Sequence, residues 1–190
     1  MSQDHNPVVK FLLSRRSRPA KTLLAPPPSR QDLETILEAA ARTPDHGKLE
    51  PWRFIVFDQT ALTRLADQVE QHAQSLALGE DVVEKAVRPF KTGPLAVAVI
   101  EVQKSSEKVP SIEQSYSAGA ACLALLNTAL AMGYGANWIS GWISHDRVFV
   151  EQALKLTPEE RVAGFIYIGT ESARPPERPR PNLNDIVTWA

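Results

Sequence analysis

The sequence predicts a single domain built on a sheet with helices on its faces, an α+β or α/β arrangement. Three observations predict it. Apolar runs at helical spacing alternate with short Val- and Ile-rich runs along the chain. The run PLAVAVIEV at 94–102 is apolar without alternation, as a strand buried on both faces requires. The 190 residues, 43% hydrophobic and 23% charged, suffice for one core or for a subunit that completes its core in an oligomer. No internal repeat or second-domain boundary interrupts residues 1–190.

The elements follow in order. Asn6 caps a first helix with Pro7 at its first position; Val8, Phe11 and Leu12 form one apolar face, and the helix ends near Arg15. After the PPPS turn, Ser29 is an N-cap with Asp32 three residues on, and Leu33, Ile36, Leu37, Ala40 and Ala41 repeat at helical spacing to Thr43. PWRFIVF at 51–57 is a strand, and ALTRLADQVEQHAQSLAL is a helix with Leu62, Leu65, Ala66 and Val69 on one side. The polar stretch 79–91 reads as a mobile excursion with room for a helical turn. Residues 115–132 form the most apolar helix, rich in small side chains and stopped by Gly133 or Gly135. ANWISGW at 136–142 is a short strand breaking at Gly141, 145–156 is helical, and VAGFIYIGT at 162–170 is a strand. The tail from 172 to 190 carries Pro175, Pro176, Pro179 and Pro181, which predicts an extended, non-helical segment over a surface.

Composition excludes several classes of function. A formal net charge of −1 provides no global field for nucleic acid or an acidic membrane. The N-terminal decapeptide is polar where a signal peptide needs an apolar core, and the longest apolar stretch, 117–133, is short for a membrane span, so a cytoplasmic protein is expected. The sequence has no GxGxxG, GxxxxGK[ST] or GxSxG pattern. The four histidines are scattered outside any metal-ligand spacing, so no metal is expected, and Cys122 sits inside an apolar helix as inert core. What remains is anion chemistry. Arg15, Arg16 and Ser17 suit a phosphate monoester, although a basic helix end that complements the macrodipole is an equal reading. Arg174, Arg178 and Arg180 raise the same choice in the tail. The connection TPDHGKLEPWRF at 43–54 concentrates ionisable groups between two prolines, where a rigid scaffold would position them for function.

The order of these pieces is distinctive: RRS after a first helix, then A-x-x-x-PDH-x-x-x-x-PW-x-F, then SAGAACLALLNTALAMGYGANWISGW, then VAGFIYIGT. Together they resemble the FMN-dependent NAD(P)H nitroreductase family, in its short bacterial YdjA-like branch, over essentially the whole chain. The resemblance implies an α+β fold, an α/β/α sandwich whose central mixed, mostly antiparallel sheet is flanked by helices. It implies a homodimer holding FMN in clefts at the subunit interface. Arg15, Arg16 and Ser17 match the residues that grip the ribityl chain and phosphate, and Arg178 or Arg180 matches a basic tail residue on the phosphate. His46 and Glu50 match positions reaching the flavin from the other subunit. Ile139, Ser140 and Gly141 match the segment beside the flavin ring, with Trp138 and Trp142 as candidate pocket walls.

The implied activity is ping-pong transfer of a hydride from NADH or NADPH to flavin N5, followed by two-electron reduction of a nitroaromatic or quinone-type acceptor. No catalytic side chain is required beyond a proton relay at His46, because the cofactor carries the chemistry. Two alternatives stay open: flavin-dependent oxidation or desaturation of a metabolite, and a non-catalytic FMN-binding dimer. One departure stands out. Many family members place Arg or Lys two positions after the serine of RRS; this chain has Pro19 there, with Arg18 one position early. The missing cation implies a lower flavin potential, or a substitute donor such as the backbone or Arg16.

Overall fold

The computed structural model describes residues 6–190. Helix α1 (Pro7–Ser14) opens as its cap dictates, with Asn6 Oδ1 accepting from Val8 N at 2.9 Å and Pro7 at the first position. A 3-10 turn at Ala20–Thr22 leads into the two-residue strand β1 (Leu23–Leu24). Ser29 caps α2 (Arg30–Ala40) by accepting from Asp32 N at 3.1 Å. Strand β2 (Trp52–Asp58) passes directly into α3 (Gln59–Ser75), because Asp58 ends the strand and caps the helix through Ala61 N at 2.7 Å. Helix α4 (Glu80–Thr92) precedes β3 (Leu95–Val102) and α5 (Ser111–Ala131). Gly133, at φ 88°, ends α5: Gly133 N donates to Leu130 O at 3.1 Å and Tyr134 N to Ala129 O at 3.0 Å, the paired bonds of a Schellman motif. Then come β4 (Gly135–Ile139), the single turn α6 (Trp142–His145), α7 (Arg147–Leu154), β5 (Glu160–Glu171) and the single turn α8 (Leu183–Ile186).

The five strands form one sheet in which each pairing is antiparallel. Strand β5 is its hub, pairing with β1, β3 and β4, while β3 pairs onward with β2. Strict alternation along β3 divides the core. Ala96, Ala98 and Ile100 face a cluster with α3, α4, α6 and α7; Leu95, Val97 and Val99 face a second cluster with α2 and α5. Strand β5 divides the same way, with Phe165 and Tyr167 on the first side and Ile166 and Ile168 on the second. The result is the three-layer α/β/α sandwich that the sequence implied. Since every pairing here is antiparallel, the mixed character expected of the sheet has no parallel pair among the described residues.

Several boundaries differ from expectation. The stretch 79–91 is not an excursion but the thirteen-residue helix α4. Glu80 and Asp81 favour its N-terminus, and Val83, Ala86, Val87 and Phe90 carry an apolar stripe that its polar composition obscures. Helix α5 begins at Ser111 rather than 115, and Gly133, not Gly135, stops it. The single helix expected at 145–156 is broken at Asp146, whose carboxylate caps α7 by accepting from Phe149 N at 2.8 Å. The tail is mostly extended but contains α8, so its prolines do not exclude a helical turn at 183–186. The apolar face of α1 is largely uncovered within the protomer: Phe11 is half-buried, none of its residues is fully buried, and Val8 and Leu12 are well exposed.

Candidate functional site

A cluster of cations gathers where α1 ends. Arg15 N donates the last helical bond to Phe11 O, and its extended ψ of 141° then turns the chain out of the helix and presents Arg15, Arg16 and Ser17 in succession. Arg15 Nη2 donates to Ser17 Oγ at 2.9 Å, and Arg16 Nη2 to Pro176 O at 3.2 Å, so the tail folds back over this segment. Burial first, then the charges of Arg180, Arg16 and Arg18, hold the Arg15 guanidinium below its ordinary value. The Nε groups of Arg15 and Arg16 are buried without a protein partner. The Arg18 Nε is likewise buried without an aligned hydrogen bond, but it lies 2.8 Å from Glu171 Oε1 in an ion pair, and its Nη1 donates to Arg16 O at 2.6 Å. A cavity of about 480 Å³ opens among Arg15, Arg16, Arg18 and Glu177. The tail alternatives separate here. Arg180 stands close enough for Arg15 to feel its charge and is oriented by Glu177, its Nε 3.0 Å from Oε1. Arg178 is exposed and meets Glu177 through its backbone N–H, which holds the Glu177 carboxylate below its ordinary range.

The connection before β2 is a strained shelf. Gly47, Lys48 and Glu50 all adopt positive φ, at 76°, 54° and 49°. Asp45 holds them there, its Oδ2 accepting from Leu49 N at 2.5 Å and Glu50 N at 3.1 Å. Ser117 clamps the shelf to α5 by donating to Pro44 O at 2.9 Å and accepting from Trp52 Nε1 at 3.1 Å. His46 Nδ1 lies 2.6 Å from Glu113 Oε2 on α5. An ionised carboxylate only accepts, so the neutral ring carries its proton on Nδ1 and turns Nε2 outward. Glu113 is a partner that sequence reasoning missed; its place in the first turn of a helix predicted to start later hid it. His46 and Glu50 are exposed and make no contact with the arginine cluster within the protomer.

The third group lies where β4 ends. Arg18 N donates to Ala136 O, and Asn137 Nδ2 to Arg18 O at 2.7 Å, which pins the arginine segment to the strand that delivers Ile139, Ser140 and Gly141. Four extended residues, about 13 Å, separate Ala136 from Ser140. The turn opens on a cavity of about 320 Å³ lined by Phe90, Ile139, Gly141, Trp142, Phe165 and Tyr167. Trp142 is thus a wall of this pocket, its far side against the His72 ring at 6.2 Å. Trp138 packs over the backbone of Gly164, where a Cβ would fall 2.0 Å from its Nε1. The sequence analysis missed Tyr167, whose place in an apolar strand made it look like plain core.

Elsewhere, burial pushes the Cys122 thiol up to about 12, leaving it inert. Among the described residues, no group of His, Cys, Asp and Glu could hold a metal ion, and no helix is long and apolar enough to cross a membrane.

Comparison with known proteins adds to this geometry. The model of the nitroreductase family matches residues 12–170. YdjA of Escherichia coli strain K12, named as an NAD(P)H nitroreductase, is 34% identical over 163 residues, covering 85% of this chain and 87% of its own. A protein of the same designation from Haemophilus influenzae is 34% identical over 182 residues, covering 94% of this chain and 97% of its own. Among solved structures, a nitroreductase-like family protein from Bacillus cereus superposes with a TM-score of 0.80 at 17% identity, covering 100% of this chain and 99% of its own. A nitroreductase from Desulfovibrio desulfuricans, solved in complex with FMN, superposes with a TM-score of 0.77 at 21% identity, covering 98% of each chain.

Proposed function

Because the chain belongs to the nitroreductase family, we propose that it is an FMN-dependent oxidoreductase. As a homodimer it would carry two electrons, in ping-pong order, from NADH or NADPH to a nitroaromatic or quinone-type small molecule. The observation that carries this reading is the pair of buried, unpartnered Nε groups on Arg15 and Arg16 inside a cluster of like charges. Glu171 and Glu177 offset Arg18 and Arg180, which leaves Arg15 and Arg16 without a counter-anion, and a phosphate monoester supplies the charge and acceptor oxygens they lack. When bound, FMN supplies hydride chemistry at N5 that no side chain of this protein offers.

The residues fit that group. Arg15, Arg16 and Arg180 hold its phosphate, and Ser17, already oriented by Arg15, holds the adjoining ribityl chain. Ile139, Ser140 and Gly141 run beside the ring, and Gly141 has open space where a Cβ would stand, so the backbone permits close approach. His46 and Glu50, separated from the arginine cluster within one protomer, reach the cofactor of the other subunit. There His46, its tautomer fixed by Glu113, holds or relays a proton at its outward Nε2.

The test is a visible absorption spectrum of the purified protein before and after anaerobic NADPH and then NADH. Yellow protein that bleaches, and recovers colour when a quinone or nitroarene is added, supports the reading. Yellow protein that neither nucleotide bleaches retains the cofactor but sinks the reductase activity. Protein that stays colourless in excess FMN sinks both.

A further inference from the structure

Two carboxylates, Glu171 and Glu177, line the same cavity of about 480 Å³ as the arginine cluster, and they are engaged differently. Glu171 pairs at 2.8 Å with Arg18, a residue with no part in holding the phosphate. Glu177 pairs with an arginine that has such a part. Its Oε1 collects Arg178 N at 3.1 Å, Arg180 Nε at 3.0 Å and Arg180 Nη2 at 2.8 Å. Among the described residues, Arg180 has no other hydrogen-bond or ion-pair partner. Arg16 Nη2 donates to Pro176 O at 3.2 Å, which seats the residue before Glu177 on the arginine segment. Pro175, Pro176, Pro179 and Pro181 restrict the backbone on either side.

Nε and Nη2 form one edge of the planar guanidinium, an edge on which a carboxylate or a phosphate binds side-on. Glu177 therefore covers donors that Arg180 would offer to a phosphate. The Arg178 N–H above all, then Arg180, hold the Glu177 carboxylate below its ordinary range, so it is ionised at neutral pH. A phosphate monoester is close to dianionic there, and two anions on one cavity rim repel each other. The pair can open, because its side chains are 49% and 61% exposed and exposed pairs are weak. We infer that Glu177 is an internal rival of the cofactor phosphate: carboxylate and phosphate compete for Arg180, and that exchange sets how long FMN stays bound. The inference deepens the proposed function and rests on it for the identity of the anion.

The experiment times FMN release from the loaded full chain, wild type against Glu177→Gln, by the rise in flavin fluorescence after dilution. Glutamine keeps the size and loses the charge at an exposed position, so the thermal midpoint should match wild type. Release should slow about threefold to fivefold, the scale of an exposed charge pair, and the gap should narrow at high salt. Binding of riboflavin, which carries no phosphate, should be the same in both proteins. Release that is equal or faster in Glu177→Gln overturns the inference; faster release would mean that the carboxylate orients Arg180 for the phosphate. An equal change with riboflavin also overturns it, since Glu177 would then act through the fold. If both proteins stay colourless in excess FMN, the cofactor reading falls and titration with inorganic phosphate decides. Tighter phosphate binding by Glu177→Gln upholds the rivalry at an anion site, and equal or weaker binding overturns it.

Discussion

At the scale of single residues, Pro19 is the sharpest departure from the family pattern, and the structure narrows its meaning. Arg18 does not substitute for the missing cation, because Glu171 and the Arg16 carbonyl already occupy its guanidinium. Pro19 has extended backbone, at φ −52° and ψ 132°, that lysine adopts without strain. Pro19→Lys should therefore raise the flavin potential, by about 30 mV for each tenfold preference gained by the reduced form; redox titration beside wild type shows it, and no upward shift would refute the idea. A second residue-scale prediction concerns Glu160, whose side chain is 9% exposed and takes two bonds from Arg53, at 2.5 and 3.0 Å. The Arg53 hydrogen bond above all holds Glu160 below the ordinary value of 4.5. A depressed carboxylate stabilises fully above its unfolded value, and that contribution is lost as pH falls through its folded value. Glu160→Gln should cost about 2 kcal/mol at neutral pH, and its urea midpoint should converge on wild type below pH 4.5. Legibility at this scale was uneven. Arg15, Arg16 and Ser17 stood out as charge beside a helix end, but the choice of Arg180 over Arg178 depends on how the tail folds, which local sequence does not encode. Tyr167 was illegible because one hydroxyl in an apolar run gives no periodic signal.

At the scale of elements, caps and buried strands were readable because their causes are local. Asn6, Ser29 and Gly133 act within a turn of themselves, and β3 announces its double burial by an unbroken apolar run from Leu95 to Ile100. Helix α4 was hidden because half its apolar stripe rests on Val83 and Ala86, small side chains in a charged background. The shelf at 43–54 was legible as a dense loop but not as a strained one. Lys48 and Glu50 accept left-handed conformations that cost of order 1 kcal/mol or more each, because Asp45 and the Ser117 clamp fix their neighbours. Lys48→Gly should remove that penalty and raise the unfolding free energy by about 1 kcal/mol, measurable by urea denaturation. A destabilised Lys48→Gly protein would mean that the side chain, not the backbone, justifies the conformation.

At the scale of the whole molecule, the protomer leaves apolar surface uncovered. Ile112, Tyr116, Gly119 and Leu123 line the outward face of α5 at helical spacing, the three large ones 54%, 68% and 44% exposed. Gly119 has open space around it within the protomer. If this stripe is the centre of a homodimer interface, Gly119→Arg should convert the dimer to monomer in sedimentation while each subunit keeps its helical signal; an intact dimer would move the interface elsewhere. Helix α1 and the tail, with Trp189 at 92% exposure, leave further large apolar side chains uncovered. The fold follows from patterning, whereas a dimer would be a property of two chains, to which one sequence gives little access. One feature has its largest effect in time rather than in space. The cations proposed to hold the phosphate come from positions 15, 16 and 180, far apart in the sequence. On the proposed reading, a growing chain would offer half a binding site until the tail has emerged and folded back, and the ligand would then fasten the two segments like a clasp. A chain stopped after Thr170 should fold its sheet yet release FMN on gel filtration that leaves the full chain yellow. Uptake of the cofactor would in that way report that the tail has folded back over the arginine segment.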